Sequence, residues 1–150
     1  NIGSVGHSQG GVGAINAVTD TKHSELYKTV VVESPANPEL AHNLEWDYDI
    51  SKVSVPIFML AGTGNVDANT IIPIEKLNEM FDSVDDSLIK VMARRRDTDH
   101  GDMLYSGDGY VTAWLMWQLQ GDENASKAFT EETGELMTNE LYQDQRSKIN

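Results

Sequence analysis

The pentapeptide GHSQG at residues 6–10 places a serine between two glycines, in the pattern G-x-S-x-G. A short apolar run precedes it and a segment rich in glycine and alanine follows it, which predicts a tight turn between a strand and a helix. Glycines on either side of the serine allow neighbouring backbones to approach without a Cβ clash. The N-terminal amides of the following helix would face negative charge developing beside the hydroxyl. Ser8 is therefore predicted as a nucleophile, and the competing interpretation is a turn with an unreactive serine.

A serine hydroxyl needs a base within hydrogen-bond reach, and the chain offers four histidines for that role. His7 adjoins the serine, and its side chain is expected to leave a strand-turn in a different direction. His23 and His42 lie in polar loop segments. His100 follows the last predicted strand, where the catalytic groups of α/β sheets gather, and it completes the order serine, acid, histidine. We therefore predict His100 as the general base.

The acid that would orient His100 is predicted to be Asp67. This residue follows the apolar run VPIFMLA through a glycine-rich turn, and a carboxylate in that place could hold the imidazole in the correct tautomer. Glu33, at the end of the preceding strand, is the alternative. Asn65 lies nearer to the strand end, but an amide cannot stabilise imidazolium as a carboxylate does. Three aspartates beside the histidine are expected to cap loops or face solvent, namely Asp97, Asp99 and Asp102.

The elements that must position these side chains alternate between apolar β-branched runs and helical patterns, which predicts an α/β fold with a parallel sheet and crossover helices. The predicted strands are Ile2–Gly6, Thr29–Glu33, Val55–Ala61 and Leu88–Ala93. The predicted helices are Gln9–Val18, Pro73–Phe81 and Tyr110–Gln120, with a further short helix around residues 125–129. The last dozen residues are expected to form a solvated tail. At 150 residues the chain is expected to form one domain.

The charge balance excludes several classes of partner. The chain has 11 Lys and Arg against 24 Asp and Glu, and a net charge of -13 repels nucleic-acid phosphates and anionic lipid surfaces. Its lack of cysteine excludes a disulfide framework, a thiolate metal site and a cysteine nucleophile, but does not identify the cellular compartment. No apolar run approaches the roughly 20 residues of a membrane helix. We therefore expect no membrane span, no nucleic-acid partner, and neither a cofactor nor a metal.

Three segments carry a resemblance to a known family. GHSQGG (6–11), VPIFMLAGTGNVD (55–67) and DTDHGDML (97–104) resemble the nucleophile, acid and histidine segments of α/β-hydrolases. The chain is most similar to the cap-less bacterial esterases and lipases that include dienelactone-hydrolase-like and cutinase-like polyester hydrolases. The resemblance implies Ser8 as nucleophile, Asp67 as acid and His100 as base. It also implies that the backbone amide of Gln9 forms half of an oxyanion hole.

The same resemblance implies that residues 1–150 are the C-terminal half of an α/β-hydrolase domain, running from the nucleophile strand through the last four strands. The loop that would supply the second oxyanion amide would then precede Asn1. The strand at residues 1–6 would be an exposed edge, open to a second chain or to a dimer partner.

The expected reaction is hydrolysis of carboxylic esters. Only about twenty residues separate Glu33 from Val55, too few for a lid domain, so the site is expected to be open to small-molecule or polymeric esters. An amidase or peptidase would use the same triad, and a non-catalytic interaction module would use none of it.

Overall fold

The computed structural model describes residues 1–149 and has an α/β fold built on a five-stranded sheet. The strands are β1 Ile2–His7, β2 Tyr27–Glu33, β3 Ile57–Gly62, β4 Lys90–Arg95 and β5 Tyr142–Lys148. The helices are α1 Gln9–Thr19, α2 Pro38–Asn43, α3 Ile74–Ser83, α4 Met103–Ser106, α5 Asp108–Gln120, α6 Glu123–Ser126 and α7 Glu135–Thr138. The α/β class predicted from the sequence is confirmed.

The sheet is mixed but mostly parallel. Its strands follow the order β1-β2-β3-β4-β5, in which the first four are parallel and β5 runs antiparallel to β4. All four predicted strands are present, with boundaries shifted by a few residues. Because parallel neighbours are joined by crossovers, the carboxyl ends of β1 to β4 meet at one edge of the sheet. The loops that carry the chemistry-bearing side chains all begin at that edge.

The predicted solvated tail is wrong for most of its length, because residues 142–148 form β5. Tyr142 is 2% exposed, and two charged residues of the strand, Asp144 and Arg146, have ionic partners. The Asp144 carboxylate accepts from Arg94 Nε at 2.9 Å, and Arg146 donates to Asp82 at 2.7 Å. A polar strand at the sheet edge is stabilised by such pairs and by its ladder with β4, so its sequence resembles a tail. Residue 150 lies outside the described residues.

Each face of the sheet is covered by helices because successive strand residues point to opposite sides. On one face, Val30 and Val32 pack with residues of α1 and α3 such as Ile15 and Leu77. On the other, Val31 packs with aromatic residues that include Trp114 of α5, whose indole Nε1 donates to Thr29 Oγ1 at 2.7 Å. A sheet covered on both faces explains the continuous Val run of β2.

The long helices lie close to their predicted positions. α5 extends the predicted Tyr110–Gln120 segment by two residues and ends at Gly121, whose φ of 73° is the left-handed conformation that glycine adopts readily. α6 covers part of the predicted short helix around residues 125–129. Among residues 1–149, no helix is both long and apolar enough to cross a bilayer.

Strand β1 lies at the edge of the sheet and pairs only with β2 among the described residues. It contains no charged residue other than the titratable His7, and Ile2 and Val5 are 48% and 46% exposed. Natural edge strands are usually protected by charges, prolines or bulges, and β1 has one irregularity, a register shift against β2 between Ile2 and Gly3. Pairing of this edge with a second chain or with another copy stays a prediction.

Candidate active site

Ser8 lies in the turn between β1 and α1 with φ 57° and ψ -122°. A non-glycine residue in this region stores backbone strain, which is found most often at functional sites. Gly6 permits the turn, because a Cβ at that position would lie 1.9 Å from the carbonyl oxygen of Gly10. The expectation that both glycines are sterically required is only half met, since a Cβ on Gly10 would contact nothing within 4 Å.

The turn is held by backbone hydrogen bonds that do not use the serine hydroxyl. The N–H of Ser8 donates to the carbonyl of Glu33 on β2 at 2.9 Å, and the carbonyl of Ser8 accepts from Gly11 at 3.0 Å. The hydroxyl of Ser8 does not cap α1. Gln9 is the first residue of α1, so its N–H has no helical carbonyl to bind. The predicted oxyanion amide is therefore available beside the hydroxyl.

Three side chains from different loops form a continuous hydrogen-bonded chain. His100 Nε2 lies 2.8 Å from Ser8 Oγ, and His100 Nδ1 lies 2.7 Å from Asp67 Oδ1. A carboxylate oxygen accepts, so Nδ1 carries the hydrogen and Nε2 of the neutral ring accepts from the serine hydroxyl. The geometry expected from the sequence for these three residues is present. Their side chains come from the ends of β1, β3 and β4.

Asp67 is fully buried, and its second oxygen is held independently of the histidine. Oδ2 accepts from the N–H of Gly62 at 2.8 Å and from the hydroxyl of Ser34 at 2.5 Å. Ser34 follows β2 directly, is fully buried and has a φ of 45°. The sequence places Ser34 only in a turn before a proline. Nothing in that pattern indicated a contact with a residue 33 positions away.

Asp99 anchors the histidine loop to the acid loop. Its carboxylate accepts from the backbone N–H groups of Val66, Asp67 and His100 at 2.8–3.1 Å. These hydrogen bonds, first among them the one from Asp67, hold the pKa of Asp99 below its usual value. The expectation that Asp99 caps a loop is confirmed. The acid and the base are thereby fixed relative to each other through one carboxylate.

The two alternative candidates for the position of the acid, Glu33 and Asn65, are not bound to His100. Glu33 is 5% exposed, and its Oε1 is buried without a hydrogen-bond partner among residues 1–149. It lies on the α5 side of the sheet, where a Cβ on Gly107 would come within 3.0 Å of that oxygen. Asn65 instead accepts from the Asn69 amide at 2.8 Å. The carboxylate that reaches the imidazole is that of Asp67.

Of the three other histidines, His23 and His42 lie at the surface and His7 lies beside the site. His23 is exposed, and His42 binds Asp47 at 2.7 Å on the surface. The expectation that the His7 side chain turns away from the site is wrong, because His7 Nε2 lies 2.7 Å from the carbonyl oxygen of His100. Because β2 and β3 lie between β1 and β4 in the sheet, the loop after β4 must extend towards the end of β1 for this contact. The sequence separation of 93 residues does not indicate it.

Glu33 predicts a measurable dependence of stability on pH. Burial, with a contribution from the nearby Asp108 carboxylate, raises the pKa of Glu33 from 4.5 to about 7. The folded state therefore retains a proton that the unfolded state loses above pH 4.5. Stability falls as pH rises from about 4.5 to 7 and stays lowered above that range, by up to about 3 kcal/mol.

We expect Glu33→Gln to remove most of this loss. The measurement is urea unfolding at pH 5 and pH 8, compared with the parent and with Glu25→Gln, which changes an exposed glutamate in the same way. The difference in unfolding free energy between pH 5 and pH 8 should become smaller in Glu33→Gln and stay unchanged in Glu25→Gln. An equal pH dependence in all three proteins would show that ionisation of Glu33 does not lower the free energy of unfolding.

No protein-family model matches the chain, and no curated protein matches its sequence. Within residues 1–149, no cluster of three or more His, Cys, Asp and Glu side chains has an arrangement that could hold a metal ion. The candidate site consists of the Ser8 hydroxyl, the His100 imidazole and the buried Asp67 carboxylate, hydrogen-bonded in series.

Proposed function

We propose that this chain is part of an α/β-hydrolase and that it hydrolyses carboxylic esters through Ser8, His100 and Asp67. The observation that carries the proposal is the unbroken hydrogen-bonded series from Ser8 Oγ through both nitrogens of His100 to Asp67. Along the chain the three residues follow the order serine, acid, histidine. They also belong to the ends of parallel strands, which is the family's arrangement.

In the proposed reaction, Ser8 Oγ attacks the acyl carbon while His100 Nε2 takes its proton. The ester C–O bond then breaks, and the imidazolium returns the proton to the departing alkoxide, which leaves as an alcohol. Water attacks the acyl-enzyme in the same way and releases the carboxylic acid. Asp67 keeps its carboxylate on Nδ1 throughout, so that the ring stays oriented and its positive charge is stabilised.

Negative charge on the carbonyl oxygen is proposed to be stabilised by the N–H of Gln9 at the start of α1. This group has no helical acceptor, and the dipole of the eleven-residue helix adds to its attraction. In the family a second amide comes from a loop that precedes the nucleophile strand.

The proposed range of ester substrates rests on access to the site. The connector between β2 and β3 contains only the short helix α2 and one turn of 3₁₀ helix at Ile50–Lys52, and the side chain of His100 is 21% exposed. We propose that both a small-molecule ester and a surface-exposed ester of a polymer reach this site. Water needed for the second half of the reaction also has access.

The proposal is tested with a fluorophosphonate probe, which reacts with serines that a base has activated. We expect stoichiometric labelling of the full-length protein at Ser8, and faster turnover of a p-nitrophenyl ester than of the matching p-nitroanilide. Faster turnover of the anilide would reassign the site to an amidase or peptidase. Absence of labelling and of turnover would make the chain a non-catalytic interaction module.

A further inference from the structure

His7 makes two contacts with the proposed base that the reaction itself does not require. Its Nε2 lies 2.7 Å from the backbone carbonyl oxygen of His100, and the two imidazole rings have centroids 4.7 Å apart at an angle of 34°. A carbonyl oxygen only accepts, so His7 Nε2 carries the hydrogen and donates it. His7 is therefore bound to the main chain of His100 and packed against its ring.

With these contacts, both the backbone and the ring of His100 are held by hydrogen bonds. The N–H of His100 donates to Asp99 at 2.8 Å, its carbonyl accepts from His7, and its ring nitrogens bind Ser8 and Asp67. Every polar group of His100 is thus used. Without the contact from His7, the main chain of His100 would be held at its N–H and not at its carbonyl.

The position of His7 in the chain gives the contact its effect. His7 is the last residue of β1 and directly precedes Ser8, whose φ of 57° begins the turn into α1. Two adjacent residues therefore bind His100, one through its main chain and one through its ring. A shift of the histidine loop away from β1 would lengthen both the His7 contact and the contact between Nε2 and the serine.

We propose that His7 is a positioning residue of the triad, which holds the backbone of His100 so that Nε2 stays within hydrogen-bond reach of Ser8. This inference rests on the proposed function. His7 does not touch the reacting atoms, and its effect comes from geometry, since a displacement of about 1 Å at reacting groups can cost about 100-fold in rate.

The test uses the full-length protein and a set of variants that separates the hydrogen bond from the rest of the side chain. Gln places an amide N–H at about the position of imidazole Nε2, so His7→Gln retains the donor. His7→Met has similar length and no donor, and His7→Asn has a donor on a side chain too short to reach. His23→Met makes the same change at an exposed histidine outside the site.

The readouts are kcat and KM on a p-nitrophenyl ester and the rate of fluorophosphonate labelling. In His7→Met and His7→Asn we expect kcat and the labelling rate to fall about 10- to 100-fold, with KM within about threefold of the parent. His7→Gln and His23→Met should stay within about threefold of the parent. If His7→Met does not fold, the comparison of Gln with Asn carries the same test.

A labelled parent with unchanged His7→Met and His7→Asn would overturn the inference and leave the proposed function standing. Equal losses in the Gln, Met and Asn variants would also overturn it, because the hydrogen bond would not be what His7 contributes. A parent that is neither labelled nor active would overturn the proposed function itself.

Discussion

Ser8→Ala is expected to lower ester turnover by at least about 10⁴-fold, because among residues 1–149 no other hydroxyl is hydrogen-bonded to His100 Nε2. The backbone turn is held by bonds from the main chain of Ser8 to Glu33 and Gly11, which alanine retains. The melting temperature should therefore change by only a few degrees, since one partly buried hydrogen bond contributes about 1 kcal/mol. The measurements are kcat/KM on a p-nitrophenyl ester and thermal unfolding of the same samples.

The matched control for this change is Ser83→Ala, which removes an exposed serine hydroxyl at the end of α3. It should retain the turnover of the parent. Turnover of Ser8→Ala within tenfold of the parent would contradict Ser8 as the nucleophile. If Ser8→Ala does not fold, the nucleophile is identified instead by labelling the parent with the fluorophosphonate probe. The mass of the labelled peptide then shows which residue is modified.

Asp67→Asn is expected to lower kcat by about 10⁴-fold, and the contacts of the carboxylate explain why an amide so similar in shape should fail. Oδ2 is bound by two donors, the N–H of Gly62 and the hydroxyl of Ser34. The oxygen of the asparagine must take that place, so its NH₂ group faces His100 Nδ1. Nδ1 then has to accept, the ring proton moves to Nε2, and the base can no longer take a proton from Ser8.

Two matched variants test the assignment of the acid. Glu33→Gln changes the alternative carboxylate, which is not bound to His100, and Asp97→Asn changes an exposed carboxylate in the histidine loop. Both should keep turnover within a few-fold of the parent at pH 7. Loss of turnover in Glu33→Gln with retention in Asp67→Asn would reverse the assignment. Retention in all three would contradict a triad acid altogether.

Much of the fold was predictable because local patterns reflect it directly. A Val run such as 30–32 indicates a strand buried on both faces, and Gly121 ends α5 in the left-handed conformation that such a pattern predicts. The strand-turn-helix around Ser8 follows from G-x-S-x-G for a related reason, since Gly6 is needed where two backbones nearly touch. These are short-range constraints, and each restricts the residue types at neighbouring positions of the sequence.

The sequence by itself determined the α/β class, the turn that presents Ser8, and the choice of Asp67 and His100 as the residues that follow two later strands. Tertiary structure alone decided that β5 is a strand, because its polar residues are stabilised by partners on β4 and α3. It also decided which side chains support the triad. The contacts of Ser34 with Asp67 and of His7 with His100 exist because parallel strands bring their carboxyl ends together, across separations of 33 and 93 residues that no local pattern records.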